Sequence, residues 1–204
     1  MSLRKPPVVV DNTLTVRQKL ALTHATNITN EKALQLGYEE LSFEFFVSNG
    51  IKALQLQSAG LKPSKLKQLG VDSAGSLRQL GYDALHLVDP NFCVDVAAAY
   101  GATAVKKDFL VSASDAVAVA GTDAVATLDI TSDYLLTLCA GAPVEAQSVF
   151  TQFPKPLEKL SCKVLLDTGL RAGQLKQMGV GLSQLKAMNP APTKDEIKKL
   201  GFKL

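Results

Sequence analysis

One short phrase recurs along this chain and restricts what it can fold into. It reads Leu66-Lys-Gln-Leu-Gly70-Val71, Leu77-Arg-Gln-Leu-Gly81-Tyr82, Leu175-Lys-Gln-Met-Gly179-Val180 and Ile197-Lys-Lys-Leu-Gly201-Phe202. Looser copies end at Gly37, Gly60 and Gly169, and Leu185-Lys-Ala-Met-Asn189 puts asparagine in the glycine slot. The glycines are evenly spaced: Gly50, Gly60, Gly70 and Gly81 fall 10, 10 and 11 residues apart, and Gly101, Gly121 and Gly141 fall 20 apart. A period this short points to an array of small repeated units.

The phrase has a physical reading. Apolar residues at i and i+3 share one helical face, with Lys, Arg or Gln between them turned to water. Glycine directly after the second apolar residue suits the left-handed position that closes a helix, and asparagine is its usual substitute. Nine of the 14 glycines precede a large apolar residue, as a helix end that folds an apolar side chain back on its last turn requires. Gly60, Gly70, Gly81, Gly101, Gly121, Gly141, Gly169, Gly179 and Gly201 are therefore read as helix-ending residues.

Helix starts are marked by Pro63-Ser64, Ser114-Asp115, Thr122-Asp123, Ser132-Asp133 and Thr193-Lys-Asp-Glu196, whose side-chain oxygens can accept the free N–H groups of a first turn. Thr193 and Glu196 fit a capping box. In the middle of the chain, where the leucine-lysine phrase fades, Ser114–Gly121 and Ser132–Gly141 still read as cap, apolar helix, glycine. A helix of six to eight residues does not survive alone, because nucleation is costly and few hydrogen bonds repay it. Each unit must bury its apolar face on its neighbours, which predicts an all-α, right-handed solenoid.

The alternative is a leucine-rich-repeat-like α/β solenoid. Residues 51–61 resemble one unit of that family, with Ala59 where it carries asparagine, and 116–128 is rich in Val, Ala and Thr, which leaves 102–150 open to partial strand. A step of 10 or 11 residues is too short for a strand, a turn and a return, so helices are preferred. The units also resemble the short Leu-Lys-x-Leu/Ala-Gly-aromatic tandem repeats of assorted protist and bacterial proteins. In being built of very short helices they are similar to leucine-rich-variant α-solenoids, whose consensus they do not match. That resemblance implies an architecture and carries no catalytic residues.

The expected organisation is a single repeat domain over 1–204. It comprises an N-terminal arm (1–15), a helical cap (16–49) with Phe43, Phe45 and Phe46 in its core, repeats (50–141), an irregular repeat or bend (142–164) containing Pro154 and Pro156, and C-terminal repeats (165–204). Hydrophobic residues make up 47% and charged residues 20%, a globular composition. With few aromatics, the core must come from Leu, Val, Ile and Ala. No apolar run approaches the roughly 20 residues of a membrane span, and Val8-Val9-Val10 is too short a core for a signal peptide. A cytoplasmic protein is expected, so the sequon at Asn27 is read as chance and Cys93, Cys139 and Cys162 as reduced, buried thiols.

Chemistry is hard to find in the residues. There is no phosphate loop, dinucleotide fingerprint or nucleophile elbow, and His24 and His86 lack metal-ligand spacing to Cys, Asp or Glu. Asp129 and Asp133, at i and i+4, are read as cap residues rather than as a carboxylate pair. No catalytic residue, metal or cofactor is assigned, and an enzyme is not expected.

The charge is uneven: residues 1–107 carry a net +3, 108–154 a net −6 without one Lys or Arg, and 155–204 a net +6. The expected role is a non-enzymatic protein–protein interaction or scaffold module whose repeats present an extended surface to another protein. The alternative is nucleic-acid or anionic-membrane binding through the basic C-terminal third, with Lys176, Lys186, Lys194, Lys198 and Lys199 as the candidate polyanion-binding residues.

Overall fold

A computed structural model describes residues 42–153 and 160–204. The arm at 1–15, most of the cap at 16–49, and Pro154, Lys155, Pro156 and Lys159 lie outside these residues. The chain divides into two compact units, Met1–Tyr82 and Asp83–Leu204.

The first unit contains α1 (Phe43–Ser48), α2 (Ala53–Ser58), α3 (Pro63–Gln68) and α4 (Ala74–Gln79). The second opens with a 3-10 turn at Ala84–Val88. It continues with α5 (Pro90–Tyr100), α6 (Ala102–Phe109), α7 (Ala113–Val119), α8 (Ala124–Thr127), α9 (Ser132–Leu138) and α10 (Pro143–Thr151). It ends with α11 (Cys162–Asp167), α12 (Ala172–Gln177), α13 (Leu182–Lys186) and α14 (Lys194–Lys199). The described residues are all-helical and contain no strand. The α/β alternative is thereby overturned for them: residues 51–61 and 116–128 are helix and turn, because each short apolar run closes its hydrogen bonds within itself.

The repeat is visible as a burial register. Residues 51–60 and 61–70 bury the same four of their ten positions in the same order. In the second decade these are Leu61, Pro63, Leu66 and Leu69, and Val71 opens the next in the same way. The two leucines of the phrase are thus the middle and the end of one turn-and-a-half of helix. Phe46 is fully buried in α1, while Phe43 and Phe45 are only half-buried.

Helix ends follow the sequence closely in the ten-residue units. At α2, Gly60 N donates to Gln57 O (2.8 Å) and Leu61 N to Leu56 O (3.0 Å), the paired bonds of a Schellman closure. The same pair recurs at α14, where Gly201 N donates to Lys198 O (2.8 Å) and Phe202 N to Ile197 O (3.2 Å). All nine glycines read as helix-ending have φ between +73° and +90°.

Five positions depart from this pattern, each with a physical cause. Gly101, Gly121 and Gly141 end helices without a Schellman closure, because Ala102, Thr122 and Ala142 follow them and bring no large apolar side chain back to the last turn. Gly101 instead serves two helices: its N–H donates to Ala97 O (2.8 Å) and its carbonyl accepts from Val105 N (3.1 Å). Asp129, not a glycine, takes the left-handed position after α8 (φ +51°), and Ile130 N closes on Val125 O at 2.8 Å. Asn189 does not take it: the residue before a proline is pushed toward extended backbone, and Asn189 precedes Pro190 across a cis bond.

Some starts shift as well. Ser112 rather than Ser114 caps α7, and Thr131 rather than Ser132 caps α9, accepting from Asp115 N and Tyr134 N at 3.2 Å each. Thr193 and Glu196 do form the box, with Thr193 N donating to Glu196 Oε2 (2.7 Å) and Glu196 N to Thr193 Oγ1 (3.2 Å).

At α11 a side chain completes the closure. Thr168, with no exposed surface, donates its hydroxyl to Leu165 O (2.7 Å) and accepts from Leu170 N (3.4 Å), standing between the two groups that elsewhere bond directly. Thr168→Val keeps the shape and removes the relay. It should cost about 1–2 kcal/mol in chemical denaturation, the usual cost of stranding a buried N–H, and Thr168→Ser should recover most of it.

Tertiary pairing skips along the chain within the second unit. The 3-10 turn packs on α5 and α7, α7 on α9 and α10, α9 on α10 and α11, and α11 on α14. Gly141 N donates to Asp167 O at 2.7 Å, tying the end of α9 to the end of α11.

Candidate interaction surface

Two three-helix groups, one in each unit, are built alike. In α2–α3–α4, the first-turn amide of α2, Ala53 N, donates to Leu80 O at the end of α4 (2.7 Å). In α12–α13–α14, Ala172 N donates to Leu200 O at the end of α14, also at 2.7 Å. Each first helix is entered in the same way: Lys52 N donates to Gln55 Oε1 (2.7 Å) and Arg171 N to Gln174 Oε1 (3.1 Å). Alanine begins both helices because its small side chain is buried against the third helix, at 4% exposure for Ala53 and 9% for Ala172. A Cβ placed on Gly81 would sit 3.7 Å from Lys52 Cδ, and one on Gly201 would sit 3.7 Å from Ala172 Cβ, so both joints press closing glycine against opening helix.

Cations take part in both joints. Lys52 Nζ reaches Gln79 O at 3.1 Å, next to Arg78. In the second group Arg171 enters beside the last turn of α14, which carries Lys198 and Lys199, while Lys176 Nζ lies 5.8 Å from the centre of the Phe202 ring. Among the five lysines singled out in the sequence, Lys176, Lys198 and Lys199 thus belong to one joint; Lys186 ends α13 and Lys194 begins α14. All five are exposed. Arg171 belongs to the same basic third; Lys52 and Arg78 were missed, and the signal that could have found them is the alignment of the two groups: Lys52 with Arg171, and Arg78 with Lys198.

No protein-family model, curated protein or solved structure matches this chain.

The chemical candidates resolve into local structure. Asp129 stands in its left-handed turn and Asp133 in the first turn of the following helix, so the two carboxylates do not share a helix. His86 Nδ1 lies 2.7 Å from Asp83 Oδ1 and 3.1 Å from Asp83 N, tying the ring to the start of the 3-10 turn. Among the described residues no group of three or more His, Cys, Asp or Glu could hold a metal ion, and no helix is long and apolar enough to cross a membrane.

Cys93, Cys139 and Cys162 are free and buried. Burial raises all three thiols; Cys139 and Cys162 are pushed up to about 11, with the nearby charges of Glu145 and Glu196 adding to the effect. The thiolate is the reactive form, so these sulfurs are inert near neutrality. Folding favours the protonated thiol, so its contribution to stability is complete below the ordinary value of 9.0 and is lost as pH rises toward about 11. Denaturation midpoints followed from pH 8 upward should fall over that window, and a Cys139→Ala, Cys162→Ala variant should fall less. Alkylation by iodoacetamide at pH 8 should be slow until denaturant is added.

Proposed function

We propose that this chain is a non-enzymatic interaction module, in which short helical units stacked as a right-handed solenoid present a repeated surface to another protein. The observation that supports this reading best is the shared burial register of 51–60 and 61–70. A register that fixes which positions are buried also fixes which are offered to solvent, so successive units present the same kind of face. The alternate-helix packing of α7, α9 and α11 suits such an array. Each unit exposes large apolar side chains, Leu54 (75% exposed) in the first and Leu85 (67%) and Val144 (73%) in the second, and residues of this kind supply binding energy when a partner covers them.

The test is retention of a partner on the immobilised chain from extracts of its own source. A protein held by the native chain should be lost from a Leu54→Ser, Leu85→Ser, Val144→Ser variant whose circular dichroism and melting temperature are unchanged. Equal retention by both, or by chain unfolded in urea, would remove the reading.

A polyanion-binding reading has one observation of its own: a cation follows the central apolar residue of the unit at Lys67, Arg78, Lys176, Lys186 and Lys198. Retention on heparin that collapses between low and physiological salt would favour it.

A further inference from the structure

We propose that Asn49–Gly50 is a site of spontaneous modification, at which water converts the asparagine to aspartate and isoaspartate, and that the closure of α1 gates the reaction.

The end of α1 departs from the repeat at one position. In the closures at Gly60, Gly70, Gly81 and Gly201, the residue before the glycine is apolar and at most 6% exposed. At the end of α1 that residue is Asn49, and it is exposed. Of the six asparagines in the chain, it alone is followed by glycine. Asn49 Nδ2 donates to Phe45 O (2.9 Å), so its side chain serves a carbonyl that the helix end leaves free. Gly50 has φ +66°, the left-handed position that closes the helix, and a Cβ placed on it would meet nothing within 4 Å. Closure of α1 thus calls, beside an asparagine, for the residue that shields its own nitrogen least.

The chemistry needs only water, and asparagine is among the thermolabile residues. Gly50 N attacks Asn49 Cγ to form an N–Cγ bond. The Cγ–Nδ2 bond breaks, and ammonia leaves with the proton of the peptide nitrogen. Water then opens the cyclic imide. Opening at Cγ gives aspartate; opening at the main-chain carbonyl gives isoaspartate, whose backbone is one methylene longer.

The folded structure holds the first step back. Asn49 has ψ 5°, which turns Gly50 N away from the side chain. Gly50 N donates to Val47 O (3.1 Å), while Asn49 Nδ2 is held on Phe45 O. Attack therefore requires the last turn of α1 to open. That helix is six residues long and ends in the exposed pair Val47 and Ser48, so opening it locally disturbs little packing.

The products favour the open form. A carboxylate at 49 cannot donate to Phe45 O, and it sets negative charge against the carbonyl end of the helix. The added methylene of isoaspartate displaces Gly50 and Ile51 from their bonds to Val47 O and Phe46 O, and Ile51 and Phe46 are both core.

The experiment incubates the full chain in mildly alkaline buffer, folded and in urea. Mass spectrometry follows tryptic peptide 33–52, with fragmentation to separate aspartate from isoaspartate. Conversion at Asn49 should outrun that at Asn91, which is also exposed but is followed by Phe92. It should be about tenfold or more slower in the folded chain than in urea, the factor for an opening cost of ~1.4 kcal/mol. Ser42→Ala removes the acceptor of Phe45 N (3.2 Å) at the opposite end of α1 and leaves Asn49–Gly50 intact. With circular dichroism matching the parent, it should speed conversion in the folded chain about fivefold and leave the rate in urea unchanged. Asn49→Asp, a copy of one product, should melt below the parent. Conversion at Asn49 no faster than at Asn91 would overturn the site. Equal rates in the folded chain and in urea, or a Ser42→Ala rate equal to the parent's, would overturn the gate.

Discussion

Leu175→Ala should destabilise the protein by about 2–5 kcal/mol, with the urea midpoint falling and the slope of the transition unchanged. Leu175 is the central apolar residue of α12 and has no exposed surface. The helix around it is six residues long, too short to persist without the face that leucine buries. Domains of ordinary size are stable by about 5–15 kcal/mol, so one such cavity removes a large part of the total. Leu54→Ala is the control: it trims a leucine from α2 that is 75% exposed, and should change stability by less than about 0.5 kcal/mol. Equal effects from the two substitutions would mean that the units are not held by their buried faces.

Gly81→Val should cost about 2–3 kcal/mol in the same assay. Gly81 has φ +90°, which a β-branched residue adopts only with strain, and its added side chain would meet Lys52 Cδ at 3.7 Å at the joint between α4 and α2. A paired control separates backbone strain from crowding. Gly173 and Gly179 both have open space around the position of a Cβ, but only Gly179 has a positive φ, at +79°. Gly179→Ala should therefore destabilise by about 1–2 kcal/mol. Gly173→Ala, inside α12, should stabilise by about 0.5–1 kcal/mol because alanine is the better helix former. The same methyl group in the same empty surroundings is expected to act with opposite sign, and a shared sign would refute the left-handed closure.

Particular residues show how far the sequence could be read. The closures at Gly60 and Gly201 were legible because every atom in them lies within six residues of chain, and the apolar residue after each glycine announces the second bond. The closure at Asp129 was not, since aspartate there looked like an acid at i and i+4 from Asp133; Ile130 was the clue, an apolar residue placed to fold back on Val125. Asn189 misled in the opposite sense, because Pro190 outweighs the tolerance of asparagine for left-handed backbone. The basic third drew notice by its net charge. Its candidates Lys186 and Lys194 are exposed positions on α13 and α14, while Lys52 and Arg78 of the first unit carried no local signal.

What the sequence determined alone is where each small helix stops and which side of it is buried, because both follow from bonds and side chains a few residues apart. What only the tertiary structure decided is which helix lies against which. Ala53 meets Leu80, Ala172 meets Leu200 and Gly141 meets Asp167 across intervening helices. Leucine faces of equal size and period are interchangeable as partners, so the phrase that fixes each unit leaves their order of contact open. The order is set by how the whole set fills space together.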